Sequence, residues 1–234
     1  VLGVNKLSVV AQGSSCVIPP SNLVSWWPGD GNAKDVFDGN DGVLLNGVNF
    51  SAGMVGQAFS FDGIDDSVDV NASNNLNVGA GDGLTIDAWI YPASNETRPI
   101  IEWRFEGLHF WQANNGLFAN LDDVNGVDHG IFVPEGLTLN AWNHVALTYD
   151  KTTGIAKFYI NGIEVFSQSL GSFTPKTNTP LSIGRRHPGV YGDTNVRSFL
   201  GLIDEVEVFS RELSQQEIQA IYNAGSAGKC KSVL

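Results

Sequence analysis

The chain has 234 residues, enough for one large all-β domain whose core needs no external staple. Its 25 acidic residues against 13 basic ones leave a net charge of −12, which disfavours nucleic acid and anionic lipid as partners and favours a cation, unless the acidity serves solubility alone. No run approaches the roughly 18 apolar residues that membrane insertion of a helix needs, and 27 glycines with only 16 % charged residues point to tight turns rather than long helices.

Residues 1–20 stand apart from the body at 21–234. VLGVNKLSVV has strand propensity, and a Gly/Ser run and Pro19-Pro20 follow it. The segment reads as a loose tail, as an edge strand of its own domain, or as a strand donated to the sheet edge of another copy. Val1 in place of methionine suggests a removed leader or a fragment. Cys16 and Cys230 lie near the two ends, in neither a metal nor a redox spacing. A bridge between them would suit an exported protein; two unrelated thiols are the alternative.

Turn signals recur along the body: Pro28-Gly29, Asp38-Gly39, Asn46-Gly47, Asn115-Gly116, Asn125-Gly126 and Asn161-Gly162. Short alternating apolar runs lie between them, the pattern of an antiparallel sandwich. LTIDAWIYP (84–92) puts Leu84, Ile86, Ala88 and Ile90 on one face. GLHFWQANNGLFANL (107–121) reads as a hairpin, HVALTYD (144–150) as a strand with Val145, Leu147 and Tyr149 on one face, and KFYINGIEVF (157–166) as a hairpin on an Asn-Gly turn. FLGLIDEVEVF (199–209) is a long late strand. LSQQEIQAIYNAG (213–225) is the one helix, with a Ser214/Glu217 capping box, an apolar stripe of Ile218, Ile221 and Tyr222, and Gly225 as its stop.

Five stretches in order carry a family resemblance: LVSWWPGDGNAKD (23–35), VGQAFSFDGIDDSVDV (55–70), GLTIDAWIYP (83–92), WNHVALTYDKTTGIAKFYINGIEV (142–165) and GLIDEVEVFSRELSQQEIQAIYNAG (201–225). Over residues 21–228 the chain resembles the laminin-G-like, concanavalin A-like jelly-roll domains of bacterial secreted proteins. The resemblance implies two facing antiparallel sheets, frequent binding of glycans or extracellular proteins, and frequent calcium.

In strand 199–209, alternation places Asp204 on an inward face with Leu202 and Val206. A bare buried carboxylate is costly, so it must be protonated, hydrogen-bonded or bound to a cation. Calcium wants six to eight oxygens, and a composite structural site is expected from Asp35, Asp62 with the Gly63 carbonyl, and Asp204. In the resembling family, an aspartate in the same I-D-E-V context meets oxygens from the start of the domain. The alternative is a hydrogen-bonded Asp204 that ties the helix connection to the sheet. Asp65, Asp66 and Asp69 read as a solvated turn.

Retaining glycosidases need two carboxylates about 5 Å apart. EWRFE (102–106) offers Glu102 and Glu106 on one face, but Arg104 between them favours an ion-pair row over a proton donor. Glycan recognition is better served, by Trp103 and Trp111 on neighbouring strands and by Arg185, Arg186, His187 and Tyr191 in a late polar loop. The sequence thus reads as a secreted, non-catalytic, glycan-binding or protein-binding module with a structural calcium. A surface assembly subunit joined to other copies through residues 1–18 is the second reading, and a polysaccharide-cleaving enzyme the third.

Overall fold

The structure, a computed structural model, describes residues 15–188 and 197–231. The segment 1–14 of the expected donated strand, and Tyr191, lie outside these residues. In chain order the strands are β1 (Leu23–Trp27), β2 (Gly42–Leu45), β3 (Asn49–Ala52), β4 (Gln57–Asp62), β5 (Ser67–Val70), β6 (Gly83–Pro92), β7 (Arg98–Trp103), β8 (His109–Ala113) and β9 (Gly116–Asn120). There follow β10 (Gly130–Val133), β11 (Asn143–Asp150), β12 (Ile155–Ile160), β13 (Ile163–Ser169), β14 (Leu181–Ile183), β15 (Arg185–Arg186), β16 (Arg197–Ser198), β17 (Leu200–Phe209) and the helix α1 (Gln215–Ala224).

Two antiparallel sheets form the expected sandwich. The first runs β13-β12-β11-β6-β17-β4-β3, with β1 also paired to β17; the second runs β10-β9-β8-β7-β14-β5-β2. Strand period explains the core between them. Leu84, Ile86 and Ala88 on β6 pair with Tyr149, Leu147 and Val145 on β11, and all six point inward. The second sheet answers with Ile101, Trp103, Phe110, Leu117 and Ile183. Phe110 of β8 stacks on Phe158 of β12 at 5.9 Å, joining the layers.

The Asn161-Gly162 turn closes β12 onto β13 with φ of 53° and 76°, the left-handed pair that a tight hairpin requires. The β8–β9 hairpin turns on Asn114-Asn115, one residue before the expected Asn-Gly pair. Asn46-Gly47 makes no hairpin: it carries the chain from β2 in the second sheet to β3 in the first.

Both faces of the first sheet are covered. On its outer face Trp26, Ala146, Tyr159 and Phe209 pack with Leu213, Ile218 and Ile221 of the C-terminal segment. Each isoleucine, fully withdrawn from water, contributes roughly 1.5–3 kcal/mol. The helix starts as its sequence dictates: Ser214 accepts from the Glu217 amide, and the Glu217 side chain accepts from the Ser214 amide at 2.9 Å.

The chain ends are clasped. Val17 N donates to Gly228 O and Cys230 N donates to Val17 O, both at 2.9 Å. Beside them Cys16 and Cys230 form a disulfide, with Cα atoms 5.0 Å apart. The part of the N-terminal segment from residue 15 onward is therefore laid against the body. Lys229 is buried in this clasp, 2.9 Å from Glu207 and 3.7 Å from Glu205, which accounts for two glutamates on a covered face of β17.

Candidate functional site

Asp204 is fully buried, as expected, but on the opposite face from the one alternation gives. The β17–β6 ladder slips between Asp204 and Glu207, and Glu205 sits in the slip at φ 52°. This bulge shifts the period, so Ile203 and Val206 both point into the inter-sheet core. Asp204 pairs with Trp89, whose ring stacks on Tyr222 of α1 at 5.7 Å. One carboxylate oxygen accepts from Val55 N at 2.9 Å and the other has no partner. Asp204 therefore ties the 53–56 turn to β17, rather than the helix connection. Burial, then the charges of Glu205 and Asp30, push its acid up to about 8.

The four expected calcium ligands do not converge. Asp62 pairs with Leu200, four residues and so about 13 Å along β17 from Asp204. Asp35 is engaged by the amides of Trp26, Phe37 and Asn40, each at 2.9 Å. The Gly63 carbonyl accepts from Arg98 at 3.1 Å. These residues brace separate loops and do not make one cage. Among the described residues, the group of three carboxylates that does come together is Asp62, Asp65 and Asp66, within 4.8 Å of one another. The turn uses them itself: Asp62 accepts from Ile64 N at 2.8 Å and Asp66 from Asp62 N at 2.9 Å. Asp66 is buried, not solvated as expected, and burial raises its acid above the ordinary range. Asp69 is held by Ser182, His187 and Arg104 at 2.9, 2.9 and 3.1 Å. Burial raises its acid, but these partners outweigh it and hold the carboxyl below its usual value.

A groove of about 580 Å³ lies on the outer face of the second sheet, within the size range of ligand sites. Strand register builds it in two rows. Ser182, Glu102, His109 and Asn120 stand opposite one another across β14, β7, β8 and β9, a polar row. Trp111, Phe118 and Phe132 do the same across β8, β9 and β10, an aromatic row. Phe132 is 44 % exposed, so this row presents a ring to solvent. Arg186 and Arg197, from the β15–β16 ribbon, complete the lining.

The floor is prearranged by contacts among its own side chains. The Trp111 indole donates to Glu102 at 3.2 Å, and Glu102 lies 3.6 Å from both Arg186 and His109. His109 stacks on Trp111 at 5.6 Å, and the Arg186 guanidinium lies 5.3 Å from the indole ring. Burial and then the Arg186 charge lower the His109 imidazole to about 4, so it is neutral at pH 7. Close by, burial and a hydrogen bond with Asp128 raise Asp122 to about 8.

Of the expected ligand residues, Trp111 and Arg186 line the groove. Trp103 does not: it is fully buried in the core, because Glu102 and not Trp103 takes the outward position on β7. Arg185 donates to the Asp65 carbonyl and His187 contacts Asp69, both outside the groove lining. Phe118, Asn120, Phe132 and Arg197 were not singled out from the sequence. The first two were within reach, since the 107–121 hairpin closed on Asn114-Asn115 sets Phe118 opposite Trp111 and Asn120 opposite His109.

The ion-pair row expected from Glu102, Arg104 and Glu106 on one strand face does not form. β7 ends at Trp103, and Phe105 and Glu106 both turn with positive φ. Glu102 is buried on the strand while Glu106 is exposed in the turn. Arg104 reaches Asp69 instead of bridging the two glutamates.

Comparison with solved structures shows the same fold. The binding domain of paraclostridial mosquitocidal protein 1 superposes with a TM-score of 0.68 at 18 % identity, covering 87 % of this chain and 52 % of that one. The botulinum neurotoxin serotype D ligand binding domain, in complex with N-acetylneuraminic acid, gives 0.65 at 21 % identity, covering 86 % and 50 %. The serotype G binding domain gives 0.66 at 18 % identity, covering 86 % and 50 %. The chain thus spans about half the length of these structures. No curated protein matches it. The family described as the concanavalin A-like lectin/glucanases superfamily, Laminin_G_3, matches residues 62–219, about two thirds of the chain. With that match and the two-sheet sandwich in hand, the chain belongs to the concanavalin A-like lectin/glucanase superfamily.

Proposed function

We propose that this domain is a non-catalytic recognition module that binds a glycan in the groove over β7–β10, outside the cell. The observation that carries the reading is the paired arrangement on one open sheet face: an aromatic row of Trp111, Phe118 and Phe132 beside a polar row ending in His109 and Asn120. Saccharides present apolar C–H faces and hydroxyls side by side, and such a surface offers both partners at once. One structural relative was solved with N-acetylneuraminic acid, which supports a saccharide as ligand class. The disulfide between Cys16 and Cys230 supports an oxidising, extracellular setting.

The groove's carboxylate argues for binding over cleavage. A retaining glycosidase needs two facing carboxylates about 5 Å apart. Among the described residues, Glu106 is exposed in the turn beyond β7 rather than beside Glu102, and no other carboxylate lines the groove. A glycan array tests the reading. Retention of at least one saccharide class is expected, with Phe132→Ala weakening it at least fivefold and no saccharide released as product. An array with no retained saccharide removes the proposal.

A further inference from the structure

The cover over the first sheet leaves a second cleft, of about 390 Å³, at the C-terminal end of α1, where the helix meets the Asn161-Gly162 turn and the segment before β11. It lies on the outer face of the first sheet, because Trp89 on β6 alternates with the inward Ala88 and Ile90. The groove over β7–β10 is on the outer face of the second sheet, so the two sites look away from each other. Close approach builds the cleft's wall: a Cβ at Gly162 would stand 3.1 Å from the Tyr222 ring. Tyr222 stacks on Trp89 at 5.7 Å, and Trp142 is braced edge-on by Tyr91 at 5.6 Å while staying only half-buried. Asn161 is fixed by two bonds with His144. Its backbone amide donates to the His144 carbonyl at 2.8 Å, and its side-chain oxygen accepts from the His144 amide at 2.9 Å. Among the described residues its Nδ2 then has no protein partner, and neither has the side chain of Asn223, exposed on the last turn of α1. The lining holds no aspartate, glutamate, lysine, arginine or histidine. The ionisable side chains flanking Trp89 in the sheet, Asp204 and His144, are fully buried and turned to the Val55 amide and to Asp87.

These groups narrow the ligand class. A wholly apolar ligand would strip water from the Asn161 and Asn223 amides and leave them unpaired. An ionic ligand would meet no counter-charge in the lining. An uncharged sugar ring presents a C–H face for the aromatic rings and hydroxyls that both donate to and accept from amides. We infer that this cleft is a second binding site, for a ring of a neutral saccharide, with Trp142 stacking on the ring and Asn161 and Asn223 bonding its hydroxyls. The inference goes beyond the groove and does not depend on it. A domain with both sites holds two glycan chains from opposite sides.

The experiment uses the full chain with its six tryptophan indoles labelled with nitrogen-15, so that each gives its own magnetic-resonance signal. It is titrated with glucose, galactose, mannose and N-acetylglucosamine, each as monosaccharide and disaccharide, and with glucuronic acid as the charged counterpart of glucose. A saturable shift of the Trp142 and Trp89 signals is expected with at least one neutral sugar. Trp142→Ala should weaken that binding at least fivefold, read from Trp89, and Trp142→Phe should keep part of it. Asn223→Ala should weaken it at least threefold with the melting temperature unchanged, which separates a lost contact from a lost fold. Phe132→Ala, in the groove, should leave the Trp142 response as it was. No saturable shift at Trp142 with any neutral sugar overturns the inference, and a shift at Trp111 alone does so while leaving the groove reading standing. Glucuronic acid bound at Trp142 as tightly as glucose, or a Trp142 response abolished by Phe132→Ala, also overturns it.

Discussion

At the scale of single residues, Asp204 shows how a buried acid makes stability depend on pH. Its carboxyl titrates at about 8 in the folded protein, chiefly because of burial. In the unfolded chain it would titrate near the ordinary value of about 4. Below about pH 4 both states hold the proton and nothing is lost. As pH rises from about 4 to about 8, the folded state retains a proton that the unfolded chain has released, and stability declines until the folded carboxyl ionises. Asp122, raised to about 8 by burial and by Asp128, adds to the same slope. Asp204→Asn keeps an oxygen for Val55 N and removes the ionisation. The variant is expected to melt several degrees above the native chain at pH 8.5 and to converge with it near pH 4.5, by calorimetry across that range. Parallel profiles would refute the assignment. The burial of Asp204 was legible in the sequence, from a carboxylate among Leu, Ile and Val on a long strand. Its side of the sheet was not, because one residue in a bulge inverts the alternation that follows, and Glu205 at φ 52° carries no local signature of that role.

At the scale of elements, local chemistry and register did unequal work. The helix was legible end to end, since Ser214, Glu217 and Gly225 each act on backbone groups within a few residues of themselves. Arg211, donating to Glu217 at 2.6 and 2.9 Å, joins that network and, with the Ser214 contacts, lowers the Glu217 acid to about 2. Ser214→Ala is expected to cost about 1 kcal/mol, which at this chain length lowers the melting temperature by about 2–4 °C. A thermal melt showing no change would mean that tertiary packing of Ile218 and Ile221 alone sets this helix. The groove was less legible, because it is a product of strand order. Trp111 and Phe132 are 21 positions apart and meet only through β9, while Arg197 reaches them from a ribbon that belongs to neither large sheet. The expected calcium ligands are likewise held apart by strand order, Asp62 lying four residues along β17 from Asp204. Asp35, Gly63 and Asp204 are each spent on a nearby backbone or side-chain donor, a use that sequence proximity to glycine does not reveal.

At the scale of the whole molecule, the sandwich itself was readable from period-2 runs and turn residues, because two facing sheets average over many strands and tolerate a bulge or a misplaced turn. Which sheet face stays open was not readable. The first sheet is closed by α1 and the terminal clasp, so the second sheet is left to carry the groove. The bridge of Cys16 to Cys230 spans 214 positions, and in the chain-entropy account a loop of that size is worth roughly 5 kcal/mol. Reduction is therefore expected to lower the melting temperature by about 10 °C or more; a melt indifferent to reductant would assign the clasp's stability to Lys229 and its glutamates.

The same bridge decides how the domain behaves under tension. A pull applied at Cys16 and Cys230 passes from one to the other through a single covalent link 5.0 Å across, and almost none of it enters the strands between. A ligand-holding face would then keep its shape while a tether attached at those two points is stretched. Cutting the link would turn the entire sandwich into part of the spring.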